Sequence, residues 1–377
     1  MTEISAVIGA NWGDEGKGRT TAGLCSVHGG KPPVVVMTNG GCQRGHTVVR
    51  GGARHVFRHF GSGTLEGSPT YFPATYYVNP MEFAKELGEL EALGVSPECL
   101  MSERCLMQLP SDVFVCQALE RSRGGGKHGS CGWGIWETVL RNGYWPISVD
   151  DFAKLDRAGR ASLCREAMER QIRERLKDGI GPDEKALAET FMSDGFLRHF
   201  SDDFDVMRSM SKVLPMEDLL SEGRGLVFEN SQGLLLDPEY SGDRIHSTPS
   251  STGLNGVKLC LEKSCGANFD PFAQIGSLDA FYVSRTYLTR HGAGPFPEAV
   301  DGLKFEDLTN VPNEWQDSIR FGLFTEASEK ALLGRIEKDF AAFPAAVKSK
   351  KLVLTHADQL EPPPLLEKTA FSVVGSP

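Results

Sequence analysis

Residues 11–18 read Asn11-Trp12-Gly13-Asp14-Glu15-Gly16-Lys17-Gly18, which gathers glycines, two carboxylates and an ammonium in one short string. Glycines let backbone N–H groups crowd around an anion, and a helix starting just beyond adds a favourable dipole. Lys17 can hold phosphate oxygens, and Asp14 can bind Mg²⁺ or accept a proton. The string departs from a Walker A loop, because Asn11 stands at the first glycine and Gly18 at the hydroxyl residue. A plain tight turn is the alternative, but a turn has no use for this much charge. A second stretch has the same character: Asn39-Gly40-Gly41-Cys42-Gln43-Arg44-Gly45-His46-Thr47. An isolated histidine is commonly a satisfied structural one; His46, set among glycines after an apolar run, reads as a site residue.

Both strings follow segments that must position them. Apolar residues at 4–8 form a strand leading into the first loop, with a helix beginning near Arg19. The run 33–37 reads as a buried parallel strand leading into the second. Further strands are expected at 225–228, 274–275, 352–355 and 371–374, and helices at 81–93, 152–176 and 326–340. Strands alternating with helices predict an α/β fold: a mostly parallel central sheet with P-loop-like glycine loops at the strand carboxyl ends, plus helical subdomains. One domain over 1–377 is expected, with a charge-rich helical insertion around 150–215.

A formal net charge of −10 argues against a nucleic-acid groove, but leaves room for a locally basic pocket for a small phosphate ligand. Nine cysteines with no C-x-x-C pair fit a reducing cytoplasm, or a host's cytoplasm for a viral protein. Neither a signal peptide nor a membrane-length apolar run is legible.

At its two glycine loops the chain resembles the adenylosuccinate synthetase family, which carries G-x-x-W-G-D-E-G-K-G followed by N-A-G-H-T. The resemblance continues in order through Lys127-His128-Gly129-Ser130-Cys131-Gly132-Trp133-Gly134-Ile135, Phe228-Glu229-Asn230-Ser231-Gln232-Gly233, Ser250-Ser251-Thr252-Gly253 and Thr289-Arg290-His291-Gly292-Ala293-Gly294-Pro295-Phe296-Pro297. It implies a ligase that joins L-aspartate to C6 of a 6-oxopurine mononucleotide, with Asp14, His46 and Lys17 as catalytic residues. Mg²⁺ would be held by Asp14 and the Gly45 carbonyl. The nucleotide substrate would meet Gln43, Ser130, Cys131, Gln232, Thr252 and Arg141, the last reaching across from a second subunit of a homodimer. The NTP, ATP or GTP, would meet Gly13, Glu15, Gly16, Lys17, Gly18, Gly45, Thr47, His356, Asp358, Gly375 and Pro377. Ser250–Thr252 could instead only cap a helix, Arg141 could lie on the surface, and Asp358 could be a solvated loop residue.

Differences from the family bear on substrate. Where the family has an arginine-rich loop for aspartate, this chain reads Asn313-Glu314-Trp315-Gln316-Asp317-Ser318-Ile319-Arg320-Phe321-Gly322, leaving Ser318 and Arg320 as the aspartate-binding candidates. The Ser318–Gly322 string, the Gly129–Ile135 loop and the short end near Pro377 resemble the family's viral branch, 2-aminoadenylosuccinate synthetase, which uses dGMP to make a 2-aminoadenine precursor. Asp14 is the feature of the IMP-using branch, so dGMP and IMP both stand as acceptors. Asp358 suits GTP and the viral resemblance suits ATP. A nucleotide-binding regulator without turnover, and a P-loop NTPase switch, are the alternatives from other classes.

Overall fold

The computed structural model describes residues 1–27, 30–177, 179–307, 310, 314–316, 318–344, 348–369 and 372–375. In β1 (Thr2–Gly9) side chains alternate between the two faces of a sheet, as a strand's period of two requires. Ile4, Ala6 and Ile8 enter one apolar core and Val7 enters the other. A strand buried on both faces needs helices on both sides. Helix α1 (Lys17–Ser26) covers the Val7 face through Ala22 and Cys25. Helices α2 (Gly253–Ser264) and α3 (Glu326–Ala341) cover the other through Leu254, Val257, Leu261, Leu332 and Ile336.

The remaining strands of the sheet are β2 (Val34–Met37), β3 (Thr70–Phe72), β4 (Cys99–Met101), β5 (Ser211–Val213), β6 (Leu226–Gly233), β7 (Ile275–Arg285), β8 (Lys348–Thr355) and β9 (Ser372–Gly375). The nine are ordered β9-β8-β7-β1-β6-β2-β3-β4-β5, and every neighbouring pair is parallel. All their carboxyl ends therefore lie on one edge, where open α/β sheets bind ligands. Strand β6 separates β1 from β2 and sets Val7, Glu229 and Met37 in one cross-sheet row.

The expected strands occur as far as their residues are described, several of them longer than their apolar runs, while β3, β4 and β5 have no counterpart among the expected strands. The 225–228 run continues to Gly233, and 274–275 opens an 11-residue strand. The helix expected at 152–176 is broken in two. Val149–Ala153 ends before Asp156, whose carboxylate accepts the Gly159 N–H at 2.7 Å and starts the helix Arg157–Arg175 afresh. Helices Pro182–Phe191 and Asp194–Met210 follow and lead directly into edge strand β5. Phe152, Leu197, Phe200 and Met207 from this region share the core that holds Val7 and Val35. Among the described residues no helix is long and apolar enough to cross a membrane.

Candidate active site

The loop after β1 is built on left-handed backbone. Gly13 and Gly16 have φ of 98° and 99°, and Asp14 has φ of 55°. Glycine takes such values freely, and aspartate tolerates them better than most residues. Gly16 caps α1, so the first N–H groups of that helix have no partner within it. Glu15 turns inward: its carboxylate accepts the N–H of Asn11 at 3.0 Å and of Gly13 at 2.8 Å, and pairs with Lys17 Nζ at 3.0 Å. Glu15 is only 1% exposed, which corrects the expectation that it meets the NTP: its carboxylate is an internal strut of the loop. Lys17 is buried with it. Gly18 packs on the second loop, for a Cβ there would stand 2.8 Å from His46 Cβ and 3.1 Å from Ser62 Oγ.

That second loop leads into the hairpin His46–Arg50 and Ala53–Phe57. His46 Nδ1 lies 2.6 Å from Glu229 Oε1, and its Nε2 is buried without a hydrogen-bond partner among the described residues. Val227 and Glu229 alternate with Phe228, which places the carboxylate on the α1 face of the sheet. A buried carboxylate is costly unless surrounded by donors. Here Ser62 donates through N–H and hydroxyl, and Arg44 Nη1 pairs at 3.2 Å. Burial works to raise the Glu229 pKa, but Arg44, His46 and Ser62 hold it down at about 2. Burial lowers His46 to about 4, against the opposing pull of Glu229. The carboxylate can only accept, so Nδ1 of the neutral ring carries the proton and Nε2 presents a lone pair. His46 becomes a donor at Nε2 only on protonation.

Asp14 is partly buried, and burial raises its pKa against the nearby charges of Arg285, Lys17 and His291. Arg285 Nε donates to the Asp14 carbonyl at 2.6 Å, while its Nη2 pairs with Asp307 at 2.9 Å. No cluster of three or more metal-ligating side chains occurs among the described residues. Mg²⁺ in phosphate sites takes one or two protein oxygens and completes its shell with water and phosphate. The Asp14 carboxylate and the carbonyl of exposed Gly45 fit that donor set.

The other expected residues divide. Gln43, Ser130, Cys131 and Gln232 are partly exposed. Gln43 Oε1 accepts the Gly41 N–H at 2.7 Å, and Ser130 Oγ lies 3.2 Å from Cys116 Sγ. Burial raises the Cys131 thiol. A Cβ at Gly132 would stand 2.8 Å from the Trp315 ring, so the loop of Ser130 and Cys131 is pressed against the 314–316 segment. Thr252 is wholly buried at the N-cap position of α2, where its side chain makes no capping hydrogen bond; its N–H and hydroxyl both donate to the Asp237 carboxylate, at 2.9 and 3.4 Å. Arg141 is a second correction. It is fully buried and donates to both Asp112 oxygens at 2.9 Å and to the Met107 carbonyl at 2.6 Å, so its guanidinium is engaged inside its own chain.

Ser318 is exposed, and Arg320 Nη2 donates to the Gly292 carbonyl at 2.7 Å. At the end of β8, Thr355 Oγ1 donates to the Glu15 carbonyl at 2.7 Å, joining this strand to the first loop. His356 follows with φ of 60° and its pKa lowered by burial to about 4; Asp358 is exposed. Thr47 lies in the hairpin opposite Val56, and Gly375 pairs with Leu354. Pro377 lies outside the described residues, as do Asn313 and Asp317. Sequence reasoning missed Arg44, Ser62, Glu229 and Arg285. Glu229 and Arg44 stood inside noted motifs, and a charge within an apolar or glycine-rich run was the available signal.

The sequence profile of the family described as adenylosuccinate synthetase matches residues 6–320. An adenylosuccinate synthetase of Burkholderia pseudomallei (strain 668) is 30% identical over 308 residues, 77% of this chain and 61% of that protein. One from Methylococcus capsulatus is 30% identical over 330 residues, 84% and 69% of the two chains. The match thus spans less than two thirds of the Burkholderia relative's length. In three dimensions the fully ligated adenylosuccinate synthetase of Plasmodium falciparum superimposes with a TM-score of 0.68 at 16% identity, covering 95% of this chain and 77% of that one. The succinoaminodeoxyadenylate synthetase (PurZ) of cyanophage S-2L, solved with dGMP and with dATP as an energy donor, gives 0.63 at 17% identity, covering 99% and 91%.

Proposed function

The chain belongs to the adenylosuccinate synthetase family, and on that footing we propose that it is an NTP-dependent ligase joining L-aspartate to C6 of a 6-oxopurine mononucleotide through a 6-phosphoryl intermediate. The observation that carries this reading is the buried His46–Glu229 pair, 2.6 Å apart beside the loop of Asp14 and Lys17. A histidine backed by a carboxylate, with its outer nitrogen unpartnered, is suited to proton and hydrogen-bond exchange with an incoming phosphoryl group.

Asp14 takes the N1 proton of the purine, and its raised pKa suits it to accept one. Negative charge gathers on O6, which attacks the γ-phosphorus of the NTP as the bond to the diphosphate leaving group breaks. The amine of L-aspartate then attacks C6; the C6–O bond breaks, phosphate departs and the nitrogen gives up a proton. Protonated on Nε2, His46 donates toward the reacting oxygen and the phosphoryl group, with Glu229 holding the imidazolium. Lys17 offsets phosphoryl charge once it leaves Glu15. Mg²⁺ bound by Asp14 and the Gly45 carbonyl would supply further charge neutralisation.

The acceptor in this reading is dGMP or GMP, with ATP as donor and a 2-aminoadenylosuccinate as product. Its support is the near-full mutual coverage with the cyanophage enzyme and the Ser318–Gly322 string. IMP with GTP is the second reading, favoured by Asp14 and by the 30% identity to adenylosuccinate synthetases. A homodimer belongs to the same proposal, supported by exposed Trp136, Leu140 and Tyr144 along one face of the helix Ile135–Tyr144. The test is turnover with Mg²⁺ and L-aspartate, offering dGMP or IMP with ATP or GTP and weighing the succino-purine by mass. A 2-amino product supports the first reading and adenylosuccinate the second; NTP hydrolysis that ignores aspartate overturns both.

A further inference from the structure

Among the described residues, two that are not glycine take left-handed backbone: Asp14 with φ of 55° and His356 with φ of 60°. Such a conformation is costly for a residue with a Cβ, and it persists where the neighbours over-determine it. One of the two follows β1 and the other follows β8, and β7 lies between those strands in the sheet. Consecutive residues at the carboxyl end of β7 reach both. Arg285 Nε donates to the Asp14 carbonyl at 2.6 Å, and Thr286 Oγ1 donates to the His356 carbonyl at 3.1 Å. Both bonds take backbone carbonyls, so they aim the Asp14 carboxylate and the His356 ring without consuming either.

The two donors are themselves anchored. Arg285 is buried, and besides the Asp14 carbonyl its guanidinium reaches the Tyr287 hydroxyl at 3.0 Å and Asp307 at 2.9 Å. The Asp307 carboxylate compensates a charge that would otherwise be costly to bury. Tyr287 stacks on Phe305 with ring centres 3.7 Å apart, and its hydroxyl donates to Gln359 Oε1 at 3.0 Å. Gln359 Nε2 in turn donates to the Glu306 carbonyl at 3.0 Å, which closes a ring of contacts around the guanidinium. Thr286 is equally fixed, because its N–H is bonded to the Thr355 carbonyl at 3.0 Å. Just before them, the Ala10 N–H bonds to the Val283 carbonyl at 2.9 Å and Asn11 Nδ2 donates to Ser284 Oγ at 3.0 Å. The end of β7 is thus tied to the first glycine loop at three successive residues, 283, 284 and 285.

We propose that Arg285 and Thr286 are paired positioning residues, Arg285 fixing the backbone of the proton-accepting Asp14 and Thr286 that of His356 at the NTP seat. The roles of Asp14 and His356 in this proposal rest on the ligase reading; the two bonds do not. Carried on consecutive residues of one strand, the bonds also set the spacing between the proton acceptor and the NTP seat. Lysine is a poor replacement for Arg285, since a single ammonium lacks the planar fork that reaches three segments at once.

The test combines kinetics with hydrogen exchange on the full chain. Arg285→Lys should lower kcat about a hundredfold and leave KM for the mononucleotide and for L-aspartate within about twofold, because a displaced proton acceptor slows chemistry without weakening binding. Thr286→Val keeps the shape and loses the hydroxyl; it should raise KM for the NTP about fivefold, a larger factor than its effect on kcat. Tyr287→Phe releases one guanidinium nitrogen without moving a charge. It should shift kcat as Arg285→Lys does, by less, and it serves if Arg285→Lys does not fold. Hydrogen exchange read by mass spectrometry needs no turnover. Peptides spanning 11–18 should exchange faster in the Arg285 and Tyr287 variants, and those spanning 355–359 faster in Thr286→Val, with β2 and β6 at wild-type rates. Faster exchange spread evenly over the chain overturns the proposal, as does a folded Arg285→Lys enzyme with the kcat of the wild type. If the local exchange changes appear while the wild type makes no succino-purine, the positioning pair stands and the ligase reading fails.

Discussion

Glu229 Oε1 and His46 Nδ1, 183 residues apart in sequence, sit 2.6 Å from each other beneath α1, and this contact fixes which imidazole nitrogen faces outward. Glu229→Gln removes the charge that steadies an imidazolium while keeping an acceptor in place. Turnover is expected to fall about a hundredfold, as for losses of a ring-orienting partner elsewhere. Steady-state assays beside a circular-dichroism check of folding decide it; full activity in a folded variant excludes the role given to Glu229.

Gly18→Ala would push a methyl group into His46 and Ser62. Helix propensity alone favours alanine over glycine, so the steric term must reverse the sign. The expected outcome is a destabilisation of about 1–3 kcal/mol with a larger loss of kcat than of nucleotide affinity. Urea melts and kinetics read the two effects separately.

Arg141 is expected to matter for folding and not for assembly. Arg141→Met leaves the Asp112 charge buried without its guanidinium, which costs about 3–5 kcal/mol. The midpoint in urea should drop sharply, and the molar mass in solution should be that of the wild type. A stable Arg141→Met chain with a selectively raised KM for the mononucleotide would restore the cross-subunit role.

Acid should loosen the fold through its buried histidines. Burial holds His46 and His356 at about 4 and His59 at about 3, below the ordinary 6.5. The unfolded chain therefore binds more protons between pH 6.5 and those values, so their contribution is complete above 6.5 and is lost as the pH falls. His59 Nε2 accepts the Asn79 N–H at 2.8 Å, a role open only to the neutral ring. His59→Gln keeps an acceptor and removes the titration, so the fall in urea midpoint from pH 7 to pH 5 should be shallower than in wild type. An unchanged slope refutes the assignment.

The glycine loops were legible because their composition is local: φ near 98° at Gly13 and Gly16 demands the residue that is there. Six of the sheet's nine strands were legible from apolar runs, short of where each ends, whereas the three-residue strands β3, β4 and β5 are too short to show a pattern. The pairings escaped too. Arg44, Ser62 and Glu229 meet only after chain crossings that no spacing encodes. Arg141 could have been placed, since Ile135, Thr138 and Arg141 recur on the inward face of one helix. A resemblance assigned it outward, and the helix's own periodicity points the other way.

Glu15 gives the first loop a property that its glycine-rich neighbours in sequence do not announce. Its carboxylate already occupies the Asn11 and Gly13 amides and the Lys17 ammonium. Any phosphate that recruits Lys17 does so by exchange with a tethered competitor at high effective concentration. On the ligase reading proposed above, the net strength of capture is a difference between two anions, and the returning carboxylate would assist departure of the spent nucleotide.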